Sequence, residues 1–255
     1  MRAAGAALLL ALFAGCRSGP RPVVVLEEYD TGFRGGVDTV RFVLYDDGRA
    51  VFLAKEDPSV PRYASAVLAE AERAEILALA RAAEPEAGAY DLHLMPHLLD
   101  VRLHLFRRGR GAVVAVYGNL GASGDDRAEA PPAFLAAYDR LRGFRHPAAA
   151  PWNPEAVVVM VDTVNAYDEP APSWPEGWPA IGDASARVDA YGWTELRLPI
   201  ERLPEVAALQ HPFNRPSAVT MGGRRVGFAY RLAFPGEEAW INPSCGPLQE
   251  AARDR

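Results

Sequence analysis

The segment from Asp38 to Lys55 reads DTVRFVLYDDGRAVFLAK and has the clearest structural signal in the chain. Two apolar runs, Asp38 to Tyr45 and Ala50 to Lys55, flank the tetrapeptide Asp46-Asp47-Gly48-Arg49. An Asp-Gly pair between alternating apolar runs is a strong signal for a β-hairpin. We therefore predict two antiparallel strands here, preceded by a β-branched strand at 23–29 that opens the body.

A helix and a second hairpin follow the first hairpin. The segment Ser65 to Ala83 is rich in Ala, Glu, Leu and Arg, and its apolar residues recur at helical spacing. Two further runs, Leu98 to Leu105 and Ala112 to Tyr117, predict a second hairpin. A second helix is predicted from Pro131-Pro132 to about Leu141, because proline is accepted in the first turn of a helix.

The order of hairpin followed by helix thus occurs twice, at 38–83 and 98–143, which is consistent with two repeats. Beyond a predicted hinge at 146–151 the pattern is mostly that of strands. The predicted elements there are strands at 155–162, 185–191 and 193–198, a short helix at 203–209, and a hairpin of 217–220 with 226–234. We predict an α+β fold with an α+β domain at 23–147, a β-rich second half or subdomain at 148–243, and a frayed tail at 244–255.

The first residues have the pattern of an export signal. A positive start at Arg2 precedes an unbroken apolar run from Ala6 to Ala14. The run is shorter than the roughly 20 residues that a membrane-spanning helix needs. A cut after Gly15 by an ordinary signal peptidase would place Phe13 at position −3, where a small residue is required. We therefore predict a signal peptide at 1–15 that is cleaved by another route.

The segment Phe13-Ala14-Gly15-Cys16 resembles the lipobox of bacterial lipoproteins, although Phe13 stands where leucine is usual. The resemblance implies cleavage before Cys16, a diacylglyceryl thioether on its sulfur, and acylation of the new amino terminus by a fatty acid such as palmitate. Residues 16–22 would then be a lipidated tether. Arg17 is not the aspartate that favours inner-membrane retention, so the periplasmic face of the outer membrane is expected in a cell with two membranes. The alternatives are an ordinary secretory signal and an uncleaved hydrophobic start.

The body is also similar to bacterial envelope proteins of no known activity, through Tyr45 to Arg49 and Val116-Tyr117-Gly118. Its charge limits the partners: 27 Lys and Arg against 33 Asp and Glu give a formal net charge of −6. A nucleic-acid binder would be basic, so we expect no nucleic-acid partner. Attachment to a membrane would have to come from the lipid. If Cys16 carries that lipid, the other cysteine, Cys245, is a lone thiol, which we expect to be buried or inert.

The densest cluster of metal-ligand residue types lies between Asp91 and His104. Three converging imidazole and carboxylate groups can hold catalytic zinc, and the candidate ligands are His93, His97 and Asp100. Pro96 separates the two histidines, and the segment has no His-Glu-x-x-His arrangement. On a strand, Asp100 and His104 share the face opposite the apolar one, which favours solvent exposure. We therefore expect no cofactor.

Two other segments suggest binding chemistry without specifying it. The glycine-rich turn Gly118 to Gly124 matches neither phosphate-binding glycine motif, and we predict a flexible loop. Ser123 does not lie in a G-x-S-x-G elbow. Trp174 and Trp178 lie in a Pro-rich loop, where they would either grip a sugar or peptide or cap the edge of a sheet.

From the sequence we expect a membrane-anchored envelope lipoprotein with a non-enzymatic binding or structural role. Its partner would be an envelope protein or a glycan. The alternative is a metal-dependent or hydrolytic envelope enzyme that uses the Asp91 to His104 region.

Overall fold

The computed structural model describes residues 19–30, 38–56, 60–93, 98–107, 110–162, 171–182, 186–188, 193–209 and 217–241. The predicted signal peptide, Cys16, the candidate ligand His97 and the tail with Cys245 lie outside these residues. The fold is α+β, as predicted, with three α-helices and two β-sheets in the described part of the chain. None of the helices within it is long and apolar enough to cross a membrane.

The first sheet has eight strands. They are β1 (Pro22–Asp30), β2 (Asp38–Tyr45), β3 (Arg49–Lys55), β4 (Arg62–Val67), β5 (Gly88–Asp91), β6 (Leu99–Arg107), β7 (Arg110–Gly118) and β8 (Ala150–Pro151). Their order is β5-β7-β6-β1-β2-β3-β4-β8, so the two predicted hairpins, β2–β3 and β6–β7, lie on either side of β1. Neighbouring strands are antiparallel except for β5 and β7, which are parallel. That parallel pair was not among the hairpins predicted from the sequence.

The β2–β3 turn forms as its Asp-Gly pair predicts. Gly48 has φ +86°, a left-handed conformation that glycine adopts without steric cost. Its N–H donates to the Tyr45 carbonyl at 3.1 Å, and the Asp47 carboxylate accepts from the Arg49 N–H at 3.0 Å. The turn therefore fixes the register of the two strands.

Helices α1 (Glu70–Ala83) and α2 (Pro132–Arg142) cover one face of the first sheet. Both are capped at their amino-terminal ends by glutamate carboxylates, which satisfy N–H groups that lack a partner within the helix. Glu72 accepts from the Ala69 N–H at 3.0 Å, and Glu86 accepts from the Ala133 and Phe134 N–H groups at 3.2 and 2.8 Å. The buried residues between helices and sheet include Leu26, Phe42, Leu103, Ile76, Phe134 and Leu141.

Helix α1 begins later than predicted. Residues 65–67 belong to β4, which pairs with β3, and the helix starts at Glu70. Ala64 and Ala66 pack against the helix-side core, whereas Tyr63 packs on the opposite face of the sheet. The local composition suits a helix, but pairing with β3 buries these side chains in the alternating pattern of a strand. The two-repeat interpretation stays a prediction.

The second sheet has five strands in the order β10-β11-β9-β13-β12, all antiparallel. They are β9 (Ala156–Asp162), β10 (Arg187–Val188), β11 (Thr194–Pro199), β12 (Ser217–Met221) and β13 (Arg224–Leu232), and α3 is Leu203–Leu209. The central strand β9 is buried along its whole length, which explains its run of valines. The predicted strand at 185–191 is described as a strand only at Arg187–Val188.

The two halves share a core on the face of the first sheet that the helices leave uncovered. The Phe234 ring lies 5.1 Å from the Tyr63 ring and stacks at 4.8 Å on Trp152. The predicted hinge at 146–151 is attached to the first sheet, because β8 pairs with β4 and the Trp152 N–H donates to the Tyr63 carbonyl. The β-rich half is therefore packed against the α+β half.

The strands of the first sheet begin and end at two edges, which we call the entry end and the distal end. The entry end contains the start of β1, the β2–β3 turn and the end of β6, since Pro22 lies opposite Tyr45 and Val24 opposite Leu105. The distal end contains the end of β1, the start of β2 and the ends of β3 and β7. The chain enters the body at the first of these ends.

Candidate functional site

A groove of about 530 Å³ opens at the distal end, beside α2. Four arginines line it, Arg41, Arg127, Arg142 and Arg145, and we call it the arginine groove. Its other lining residues include Leu53, Glu56, Leu120, Tyr138, Asp139 and Gly143. Strands β2 and β3, helix α2 and the loop after β7 each contribute to it, so the fold of the whole first half is needed to form it.

A buried carboxylate, that of Glu28, contacts three of the residues that line the groove. The Glu28 side chain is only 1% exposed and forms ion pairs with Arg41 and Arg142. The Arg142 Nε–H donates to Glu28 at 2.7 Å, and the Tyr138 hydroxyl donates at 3.2 Å. A buried charge is tolerated only when it is paired and hydrogen-bonded, and these three side chains meet that need.

A β-bulge directs Arg41 toward this carboxylate. Leu26 pairs with Phe42 and Glu27 pairs with Val40, which leaves Arg41 as the extra residue of β2. A bulge changes the direction of a side chain relative to strict alternation. As a result, Arg41 reaches Glu28 on the helix-covered side of the sheet, where Phe42 also packs.

The electrostatics of this cluster shift three pKa values. Burial and the Glu28 carboxylate raise the pKa of Tyr138, so its hydroxyl stays protonated and donates. Burial disfavours the charged forms of Arg41 and Arg142, but the neighbouring carboxylates, chiefly Glu28, outweigh it, and both pKa values are raised. The two guanidinium groups are therefore permanently charged.

The other guanidinium contacts in the groove fall into two kinds. Arg41 also donates to both oxygens of Glu56, at 3.0 and 3.4 Å, and Arg127 donates to both oxygens of Asp139, at 3.1 and 2.7 Å. Arg145 donates instead to main-chain carbonyls, those of Leu53 at 3.3 Å and Phe144 at 2.6 Å. Arg41 and Arg127 therefore each form a bidentate pair with one carboxylate, whereas Arg142 and Arg145 form no bidentate pair with any described residue.

The glycine-rich loop beside the groove is folded around Asp126. That side chain accepts from the Asn119 N–H at 2.6 Å and lies 3.1 Å from His93 Nδ1. A Cβ on Gly124 would lie 1.9 Å from the Asn119 carbonyl oxygen, so this glycine allows two stretches of backbone to approach closely. The prediction of a flexible loop missed these contacts. The Asn119 N–H and then His93 lower the pKa of Asp126.

The candidate metal ligands do not converge within the described residues. His93 contacts Asp126, whereas Asp100 accepts from Arg102 at 3.0 Å. His104 is buried at 4% exposure and contacts Glu27 at 2.8 Å, which corrects the expectation that it meets solvent. No group of three His, Cys, Asp or Glu side chains suited to a metal occurs in this part of the chain. His97 lies outside it.

The two loop tryptophans lie at the edge of the second sheet. Trp178 is buried, its indole N–H donates to Glu205 at 3.3 Å, and its ring meets Trp174 edge-to-face at 5.3 Å. The Trp174 N–H donates to the Thr220 carbonyl of β12 at 2.8 Å. Of the two roles considered from the sequence, these contacts support capping of the sheet edge.

The arginine groove was not predicted from the sequence. Its one local signal is a charged residue inside an apolar strand, such as Glu28 in β1 or Arg41 in β2. No protein-family model, curated protein or solved structure matches the chain. Function is therefore inferred from the residues of this chain alone.

Proposed function

We propose that the protein is an exported lipoprotein of the cell envelope, anchored by lipid on Cys16, that binds a partner through the arginine groove without catalysis. The lipobox-like Phe13-Ala14-Gly15-Cys16 and the short apolar run before it support the anchor. Two or three acyl chains hold a protein firmly, because each buried CH₂ adds about 0.8 kcal/mol. In a cell with two membranes, the protein would lie on the periplasmic face of the outer membrane.

The observation that carries this proposal is the way the chain enters the body. The Arg21 N–H donates to the Asp46 carboxylate at 3.0 Å, and the Asp46 N–H donates to the Arg21 carbonyl at 2.8 Å. A Cβ on Gly236 would lie only 3.0 Å from Pro22 Cδ, so the chain also lies close to a second turn here. Five residues, 16–20, then join the lipid to Arg21, a reach of at most about 16 Å at roughly 3.3 Å per residue.

The entry end would therefore lie close to the bilayer. Strand β1 has nine residues and runs from the entry end to the distal end. At roughly 3.3 Å per residue it spans about 30 Å. The arginine groove would open at that distance from the membrane, toward the envelope space, where a partner can reach it.

Fractionation of cells tests the proposal. The protein should remain with the membranes after washing with high salt, because lipid and not charge holds it, and detergent should release it. Recovery of the wild-type protein in the soluble fraction would contradict the anchor.

A second candidate function is hydrolysis at His93, and one contact favours it. A carboxylate at Nδ1 orients an imidazole as a general base, and Asp126 lies in that position. Hydrolysis of a chromogenic ester by the wild type should then fall at least tenfold in His93→Gln and stay unchanged in His146→Gln. Equal rates in all three proteins would remove this candidate.

A further inference from the structure

We propose that the arginine groove binds a soluble phosphate monoester, whose phosphate accepts hydrogen bonds from Arg142 and Arg145. This inference deepens the proposed function by naming the ligand class of the same site. It depends on three features of the groove, which are its charge, the donors it leaves available and its shape.

The charge of the groove favours an anion. Four guanidinium groups, Arg41, Arg127, Arg142 and Arg145, meet three carboxylates, those of Glu28, Glu56 and Asp139. The difference is one positive charge, in a chain whose net charge is −6. A local positive site on a negative protein attracts anions to that site and repels them elsewhere.

The available donors belong to Arg142 and Arg145. The terminal amino groups of Arg41 donate to both oxygens of Glu56, and those of Arg127 donate to both oxygens of Asp139. Arg142 donates to Glu28 through Nε, and its guanidinium lies 5.9 Å from the centre of the Tyr138 ring. The base of the Arg142 side chain is thereby fixed while its terminal amino groups stay at the groove. Such preorganisation lowers the entropic cost of binding.

The placement of these donors suits a phosphate better than a carboxylate. Arg142, Gly143 and Arg145 all line the groove, and Gly143 adds no side chain to it. A single guanidinium fork satisfies the two oxygens of a carboxylate, as Arg127 does for Asp139. A phosphate monoester offers three terminal oxygens and up to two charges, enough for two guanidinium groups. The groove volume of about 530 Å³ leaves room for the esterified part.

Isothermal titration calorimetry on the full lipidated protein in detergent, at low ionic strength, tests the inference with glycerol 3-phosphate as probe. Arg142→Gln and Arg145→Gln should each weaken binding about tenfold or more, the range expected for a charge-assisted hydrogen bond. Arg140→Gln is the matched control. Its side chain is 40% exposed, against 42% for Arg142, but it pairs with Glu75 and does not line the groove. Its affinity should stay within about twofold of the wild type, since it makes no such bond.

A variant that should tighten binding is also needed, because a folding defect could weaken binding but would not strengthen it. Asp139→Asn removes the carboxylate that holds Arg127, and the Asp139 side chain is 53% exposed. The freed guanidinium should tighten binding of glycerol 3-phosphate several-fold. Weaker or unchanged binding in Asp139→Asn, or unchanged binding in both groove variants, would overturn the inference.

Two further titrations define the ligand class. Acetate should bind at least tenfold more weakly than glycerol 3-phosphate, and equal affinity would overturn the choice of phosphate. The protein should bind vesicles of phosphatidylcholine that contain phosphatidic acid no more tightly than vesicles of phosphatidylcholine alone. If the protein prefers vesicles with phosphatidic acid and does not bind glycerol 3-phosphate, the ligand is a lipid headgroup, and the proposal of a soluble phosphate monoester is wrong. Lipid on Cys16 is measured in the same preparations, so a lipidated protein that binds no phosphate contradicts this inference and leaves the anchor intact.

Discussion

Arg21 and Asp46 are joined by a reciprocal pair of hydrogen bonds at the entry end of the first sheet. The Arg21 N–H donates to the Asp46 carboxylate at 3.0 Å, and the Asp46 N–H donates to the Arg21 carbonyl at 2.8 Å. The chain is therefore attached to the β2–β3 turn before β1 begins. For a protein anchored at Cys16, this attachment decides which end faces the membrane.

The first prediction concerns that orientation. Val67 is 74% exposed and pairs with Arg49 at the entry end, whereas the exposed Ser123 lies in the loop at the distal end. Dyes on Val67→Cys and Ser123→Cys, each in a Cys245→Ser background, should respond differently to a quencher on lipid headgroups. We expect strong quenching at 67 and little at 123, because β1 separates the two ends by about 30 Å. Equal quenching would contradict the orientation.

The second prediction concerns the loop beside the groove. Gly124→Ala should destabilise the protein by about 1–3 kcal/mol, because the new methyl group would overlap the Asn119 carbonyl oxygen and force the backbone apart. Gly121→Ala is the control, since its Cβ would meet only the Asn119 side chain, at an ordinary 3.5 Å. Urea unfolding of both variants measures the difference. Equal stability of the two would show that the close approach at Gly124 is unimportant.

The third prediction concerns the buried carboxylate. Glu28→Leu should cost about 3–5 kcal/mol, the usual loss when one partner of a buried ion pair is removed. Glu56→Leu is the matched control, because it removes a second carboxylate from the same Arg41 at a side chain that is 45% exposed. Its cost should stay below about 1 kcal/mol. Chemical denaturation measures both values, and similar costs would argue against Glu28 as the centre of the cluster.

The fourth prediction concerns acid. The hydrogen bond from the Asn119 N–H, and then the one from His93, hold the pKa of Asp126 below its usual value of about 3.9. A folded-state pKa below the unfolded one stabilises the protein above about pH 4, and that stabilisation is lost as the pH falls through the folded pKa. Asp126→Asn cannot titrate, so it should lose less stability than the wild type between about pH 5 and pH 2. Identical pH profiles would contradict the assignment, and NMR of the carboxyl carbon in His93→Gln should show a higher pKa.

Much of the fold is predictable from local pattern, and particular residues show where that ends. Asp47-Gly48 specifies the first hairpin because the turn needs a residue with a left-handed backbone conformation, which Gly48 adopts. The valines of β9 predict a buried strand. By contrast, Ser65 to Val67 were predicted as the start of a helix, and their pairing with β3 makes them part of strand β4. β5 has four residues and was not predicted.

The candidate site was not predictable as a unit, because its partners lie far apart in sequence. Glu28 and Arg142 are 114 positions apart, and Glu28 and Tyr138 are 110 positions apart. A charged residue in an apolar strand indicates that a partner is needed, but it does not identify the partner. The bulge that turns Arg41 toward Glu28 likewise depends on the register between β1 and β2.

Incorporation of labelled palmitate measures whether Cys16 carries a lipid anchor. Cells producing the wild type, Cys16→Ala or Cys245→Ala are grown with the labelled fatty acid, and the purified proteins are compared. We expect label in the wild type and in Cys245→Ala, and none in Cys16→Ala, because only Cys16 would carry the thioether. Equal labelling of the wild type and Cys16→Ala, or no label in either, would contradict the anchor.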